Sequence, residues 1–244
     1  MDMRTDIIDE TQARIDLAAA LRMTARANMH EAVANHFSIA LSADGSRFLI
    51  NPKWMHWARV KASDLVLVDL NAEEPANIDP TAMVVHGQVH KLCPKARVVM
   101  HLHPIAVTAL ASIEPPCLPA IDQNSARFFN RVAIDLDFGG MANSEAEGAR
   151  LAAVMGDKSR LLMGNHGVMI TAPNIGEAWD DIYSFDRAAQ IVVAAMSTGR
   201  PLKLLDDATA EATARDWEGI RDFSVAHFEE MKRILDTECP DYRD

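Results

Sequence analysis

The pair Asp44-Gly45 lies between two apolar runs, Asn35-His-Phe-Ser-Ile-Ala-Leu41 and Arg47-Phe-Leu-Ile50. A short Asp-Gly turn between strand-forming runs is a hairpin signal. A hairpin pairs its strands antiparallel, so it weighs against a doubly wound parallel sheet. Further strands are expected at Leu65–Leu70, Ala96–His103, Val132–Leu136, Arg160–Met163 and Gly167–Thr171. Helices are expected over Asp9–Met29, Thr81–Leu92, Ile105–Ser112, Glu145–Met155 and Ile175–Met196, with a final one over Ala208–Leu235. The best defined is Ile175–Met196. Its apolar residues Ile175, Ala178, Ile182, Phe185, Ala189, Val192 and Met196 recur every three or four positions, and Asn174 with Glu177 makes a capping pair. Strands and helices mix without strict βαβ alternation. The fold class is therefore α/β with a mixed, largely antiparallel central sheet. Nothing reads as a linker, so residues 1–244 are taken as one domain.

Composition narrows the function. The chain has 24 Lys+Arg against 35 Asp+Glu, a net charge of −11. Nonspecific nucleic-acid binding neutralises phosphates with basic residues, so that class is disfavoured. The segment Met1–Glu10 is acidic and has no apolar core, unlike a secretory signal. No run approaches the roughly 18 apolar residues of a membrane span. Cys93, Cys117 and Cys239 are odd in number and fit no disulfide or zinc spacing, which points to a reduced, cytoplasmic setting. The GxGxxG and GxxxxGK[ST] signatures are absent.

Two of the nine histidines, His101 and His103, sit at i and i+2 on an expected strand. They leave the same face, their backbones roughly 7 Å apart, and can converge on one metal. About 0.3 such pairs would arise by chance among nine histidines, so the spacing alone leaves the matter open. His166, in Gly164-Asn-His-Gly167, sits at the bend between two short strands. It could complete a three-histidine site with an open position, or be a turn histidine bonded to a carbonyl.

With these residues the chain resembles the class II aldolase/adducin family from about Asp16 to Thr198. The stretches that carry the resemblance are Asn35-His-Phe-Ser38, Phe48-Leu-Ile-Asn-Pro52, Ala62-Ser-Asp-Leu-Val66 with Val68-Asp-Leu70, His101-Leu-His-Pro104, and Asn165-His-Gly-Val168 followed by Glu177-Ala178. The resemblance implies a three-layer α/β/α domain. It implies His101, His103 and His166 as ligands of a divalent metal, zinc first, with Mn2+, Fe2+ or Co2+ as options. It also implies a homotetramer with sites at subunit interfaces, to which Tyr242 of the C-terminal part is a candidate aromatic contributor.

The departures are specific. Family aldolases carry Ser-Ser-Glu four residues before a helix histidine, here His86, and the Glu transfers a proton. This chain has Ala82 at that position, after Pro80 and Thr81. Asp79 is expected on a different part of the helix, as a poor substitute. Lys53-Trp54 replaces a Thr/Ser-Gly pair, and the family's phosphate cradle looks lost. These changes resemble the adducin-like branch. Candidate catalytic residues are His36 as an acid/base, Lys53 as a neutraliser of a substrate anion, and Gln123 near the metal. Each also has an ordinary structural or surface reading. Asp79, Asp122 and Asp186 are carboxylates that could supply a fourth ligand. The expected function is a metal-dependent lyase, aldolase or decarboxylase in type, that acts on a small carbonyl or carboxylate substrate through a metal-stabilised enediolate. The alternative is a non-catalytic adducin-like interaction module that keeps its metal.

Overall fold

The side chain of Asp9 accepts from the backbone N–H groups of Thr11 and Gln12, and this cap starts helix α1 (Glu10–Arg26). In the computed structural model the described residues are 8–72, 77–93, 95–140 and 144–244. Residues 1–7, which carry most of the segment considered above for a leader, lie outside them. The expected hairpin joins β1 (His36–Ala40) and β2 (Arg47–Ile50), paired antiparallel with Gly45 at φ +72° in its loop. β3 (Val66–Asp69) pairs antiparallel with β2. β4 (Val98–Leu102), β5 (Val132–Asp135), β6 (Arg160–Met163) and β7 (Gly167–Ala172) complete one sheet of order β3-β2-β1-β4-β7-β6-β5. Only the β5–β6 pair is parallel. The mixed, largely antiparallel sheet expected from the sequence is thus present.

Alternation along the strands splits the core in two. Val98, Met100 and Leu102 of β4 face a large apolar core shared with Leu17 and Leu21 of α1 and with Ile182 and Phe185 of α6 (Ile175–Ser197). The opposite face carries Val99, Leu161 and Met169. It packs on Val85 and Val89 of α2 (Pro80–Leu92) and on Leu151 and Met155 of α5 (Glu145–Met155). The layers are therefore α1 and α6, the sheet, then α2 and α5. α3 (Ile105–Ala111) joins the first layer, where Val107 and Leu110 enter the large core. The periodic face of α6 is buried as expected from Ile175 to Val192, while Met196 at its end is 40% exposed.

One expectation needs correction. The final helix is not continuous. α7 (Asp207–Glu218) stops at Gly219, whose N–H bonds back to Arg215 and Asp216, and α8 (Arg221–Glu238) starts two residues later. Glycine weakens the helix there and Ile220 leaves helical geometry, with ψ at +43°.

The break leaves Arg221 at the start of α8, where it joins a buried ion cluster on α6. The side chain of Asp181 is 1% exposed. It accepts from Arg127 at 2.7 Å, from Arg221 at 3.1 Å and from Arg160. Its neighbour Asp180 accepts from Arg127 at 2.5 Å, from Ser224 and from His227. Burial alone would raise the Asp181 carboxyl, but the three guanidiniums outweigh it and hold the group below its usual range. The cluster ties α8, β6 and the short helix α4 (Gln123–Ala126), which Arg127 directly follows, to α6. Removing one member leaves uncompensated buried charge. Asp181→Ala should therefore destabilise the fold by about 3–5 kcal/mol in urea denaturation. A loss below about 1 kcal/mol would show that the cluster is not a structural tie.

Candidate metal centre

Strand alternation puts His101 on the α2/α5 side of β4, and His103 follows directly after the strand's last residue, Leu102. Pro104 follows as the residue before α3. The register aligns His36 of β1, His101 of β4, Met169 of β7 and Leu161 of β6 in one row across four strands. His166 belongs to the three-residue loop between β6 and β7, where Met163 pairs with Gly167. The left-handed residue of this loop is Asn165, at φ +54°, and not either glycine. Asn tolerates that conformation better than most residues. The glycines serve close approach instead. A Cβ on Gly167 would lie 2.5 Å from the His103 ring and 2.6 Å from the Leu102 carbonyl; one on Gly164 would lie 2.7 Å from the Asp135 carbonyl. The Asn-His-Gly sequence thus lets one loop bend and press against the second histidine.

His101, His103 and His166 each bring a ligand atom within 4.8 Å of the others. Hydrogen bonds set their tautomers. His101 Nδ1 lies 3.0 Å from the Val168 carbonyl, which can only accept, so Nδ1 carries the proton and Nε2 is bare. His103 Nδ1 donates to the Glu31 carboxylate at 2.7 Å, so a neutral His103 leaves its Nε2 bare as well. The two Nε2 atoms face each other at 3.0 Å. Two lone pairs at that distance repel unless a proton or a cation lies between them. Burial, then the rings of His103 and His166, hold His101 far below the ordinary histidine range, so the proton does not rest on His101, and with both rings neutral a cation is what the pair can share. His166 is pushed down to about 4, again by burial first and then by His103. Neutral imidazoles whose second N–H is held by a carbonyl or carboxylate are the donor set a divalent ion needs. The residues present fit such an ion.

The cluster opens into a cavity of about 630 Å³. His36 lines it, its ring stacked 6.0 Å from that of His101 and its Nε2 3.8 Å from Asp79. Asp79 corrects an expectation. It is the N-cap of α2, bonded to the N–H and hydroxyl of Thr81, and its carboxylate borders the cavity. His36 and Thr81 hold its carboxyl well below the usual range against the opposing effect of burial. Ala82 turns the other way, into a small apolar cluster with Ala40, Phe48 and Ile78. Behind His36 lies a buried chain: His90 Nδ1 donates to the Ala96 carbonyl, and Ser38 Oγ bridges His90 Nε2 at 2.7 Å and His86 Nδ1 at 2.6 Å.

The other candidates lie elsewhere. Lys53 sits 4.9 Å over the Trp54 ring, and Gln123 is exposed at the start of α4; neither lines the cavity. Asp122 caps α4 through Ser125, and Asp186 is bonded to Gln190 on α6, so neither is placed as a fourth ligand. Tyr242 is fully buried, its hydroxyl donating to Asp236, and is not presented to a neighbouring subunit. Glu31 was not found by sequence reasoning. Its partner His103 is 72 positions away, and no local pattern marks it.

Comparison with known proteins gives the family and the fold. Residues 15–193 match the Class II Aldolase and Adducin N-terminal domain family. A Caulobacter vibrioides protein named "Putative aldolase class 2 protein" is 32% identical over 241 residues, covering 96% of this chain and 93% of its own. Human beta-adducin is 27% identical over 170 residues, covering 67% of this chain and 23% of its own. The crystal structure of an aldolase II superfamily protein from Pseudomonas syringae superposes with a TM-score of 0.88 at 28% identity, over 96% of each chain. The L-fuculose 1-phosphate aldolase of Glaciozyma antarctica shares the fold, with a TM-score of 0.83 at 20% identity over 96% of this chain and 93% of its own. With the family match spanning most of its length, this chain belongs to the class II aldolase and adducin family.

Proposed function

We propose that the chain is a divalent-metal-dependent carbon–carbon lyase for a small carbonyl or carboxylate substrate, with zinc the first choice of ion. The observation that carries this reading is the facing pair of Nε2 atoms on His101 and His103, 3.0 Å apart, with His166 beside them. Three imidazole donors leave a coordination position open, as catalytic sites do, and the same donors suit manganese, iron or cobalt. A divalent ion bound there supplies Lewis-acid polarisation of a carbonyl. Val168 and Glu31 keep the ligand histidines in the binding tautomer. His36, beside His101 and Asp79, is the acid/base that holds or delivers a proton at its ring nitrogen. Decarboxylation suits the chain better than aldol cleavage, because Ala82 cannot take a proton from a substrate hydroxyl. Lys53 and Gln123, outside the cavity, receive no role. By family resemblance the working unit is a cytoplasmic homotetramer.

A second reading, a non-catalytic adducin-like module, draws on the apolar packing of Ala82 and the similarity to beta-adducin. Metal analysis tests the lyase reading, and turnover of a 2-oxo acid by the loaded protein separates it from a module that keeps its metal without catalysis. Protein purified without chelator should carry about one divalent ion per chain, and His101→Ala should lose it. Gly167→Ala should weaken retention by displacing His103. Metal-free protein indifferent to added zinc or manganese would overturn the lyase reading.

The histidines also set a pH dependence. Burial holds His86, His101 and His166 below the ordinary value of 6.5 in the folded chain, His166 at about 4. The unfolded chain therefore takes up protons first as pH falls. Stability of the metal-free protein should be full above about 6.5 and decline as pH drops toward 4. Metal at about 100 times its Kd should add roughly 2.7 kcal/mol at neutral pH, a Tm increase of about 5–10 °C in differential scanning calorimetry. A flat Tm between pH 7 and 4 without metal would contradict the buried neutral state of these rings.

A further inference from the structure

The cavity has two unlike ends. At its mouth stand the metal-site histidines with two polar atoms that are buried and lack a partner, the Asn35 side-chain oxygen and the Thr108 hydroxyl. Its inner wall is Val85 of α2, Leu151 of α5, Met163 of β6 and Met169 of β7. These four are between 0% and 7% exposed and belong to the core between sheet and helices. The opening therefore runs from the mouth into the α2/α5 layer. Protein interiors are close-packed and keep few voids larger than a water molecule. A recess lined by Val, Leu and Met offers water no partners, so an apolar occupant is favoured. The two methionines can adapt to its shape.

Charge points the same way. Among the described residues no lysine or arginine lines the cavity, whereas the carboxylates of Glu31 and Asp79 do. Arg150, on the neighbouring α5, is held by Asp135 at 2.7 Å and by Glu147 at 2.8 Å. Outside the described residues Arg4 is the one basic residue in the sequence. A phosphate dianion would bring one more negative charge than a carboxylate against Glu31 and Asp79, with no guanidinium or ammonium among the described lining residues to receive it.

We propose that the substrate is an amphiphilic, unphosphorylated carbonyl or carboxylate compound. Its oxygenated head sits at the histidines, Asn35 and Thr108. Its aliphatic or aryl tail fills the recess between the sheet and the α2/α5 layer. This specificity rests on the metal-site reading for the head and on the apolar recess alone for the tail. The volume of about 630 Å³ suits a ligand well beyond a three-carbon acid.

The test is calorimetric titration of the zinc- or manganese-loaded protein with straight-chain 2-oxo acids from pyruvate to 2-oxooctanoate, beside dihydroxyacetone phosphate. Metal content is measured on the same samples. Affinity should rise about fourfold per added methylene until the recess is full. Dihydroxyacetone phosphate should bind at least tenfold more weakly than 2-oxooctanoate. Val85→Phe should shift the optimum to shorter chains while leaving metal content unchanged. Chain-length-independent binding to the loaded protein, or preference for the phosphate, would overturn the proposal and leave the metal reading standing. If the protein holds no metal, the metal reading fails on its own, and n-alkanols from butanol to octanol then probe the recess directly. Affinity growing with alcohol length supports the recess, and flat affinity overturns it. Should Val85→Phe not fold, the two ligand series on the native chain decide.

Discussion

The hydrogen bond from His101 Nδ1 to the Val168 carbonyl is the constraint around which the site is arranged. It links neighbouring strands, because Leu102 of β4 is paired with Val168 of β7. It also determines which ring nitrogen is left bare. Had the partner been a hydroxyl or an amide N–H, the tautomer could have reversed and the Nε2 lone pair would not be assured. The Glu31 carboxylate does the same for His103 from a different segment. Two independent acceptors therefore turn two Nε2 atoms toward each other at 3.0 Å, and with both rings neutral these are two facing lone pairs. That arrangement is unfavourable as it stands and favourable around a cation, so the sheet register and the donor chemistry depend on one another.

The layers divide the labour. The α1/α6 face holds the larger core, and the Asp180–Asp181 cluster ties α8 to α6 at a distance from the chemistry. The α2/α5 face is the thinner side, and the cavity enters it. This side gives up some close packing where Val85, Leu151, Met163 and Met169 line open space. Stability and accessibility are thus carried by opposite faces of one sheet, with His101 on the accessible one.

What could be read from the sequence followed physical locality. The Asp44-Gly45 hairpin, the α5 limits and the buried face of α6 up to Val192 depend on short-range patterns, and each is present. The i, i+2 spacing of His101 and His103 is local too, and with the family motifs it identified the three histidines that cluster. Contributions from distant segments were not legible. Glu31 reaches His103 only through the fold. Asp79 was judged by helical spacing, yet it lies outside the helix as its cap, where periodicity does not apply. The α7–α8 break was missed because one glycine in a polar helical run costs only about 1 kcal/mol and does not by itself end a helix. The role of Gly164 and Gly167 depends on residues far off in the chain, the Asp135 carbonyl for one and His103 for the other. Close approach, not positive φ, demands them.

The substitution at position 82 also reads differently in three dimensions. Taken alone, Ala82 removes a proton carrier. In the fold it buries a methyl group among Ala40, Phe48 and Ile78, while the start of the same helix presents Asp79 and Thr81 to the cavity and Asp79 comes within 3.8 Å of His36. A carboxylate and an imidazole therefore still border the cavity, but on the side away from His166 and against the β1 edge of the row. The net charge of −11 does not describe this locality. The cavity combines four imidazole rings, two carboxylates and an apolar floor, with no lysine or arginine among its described residues. Any positive charge that anchors a substrate oxygen there has to come from an ion held by the histidines, which makes the tautomers set by Val168 and Glu31 the condition for binding as well as for chemistry.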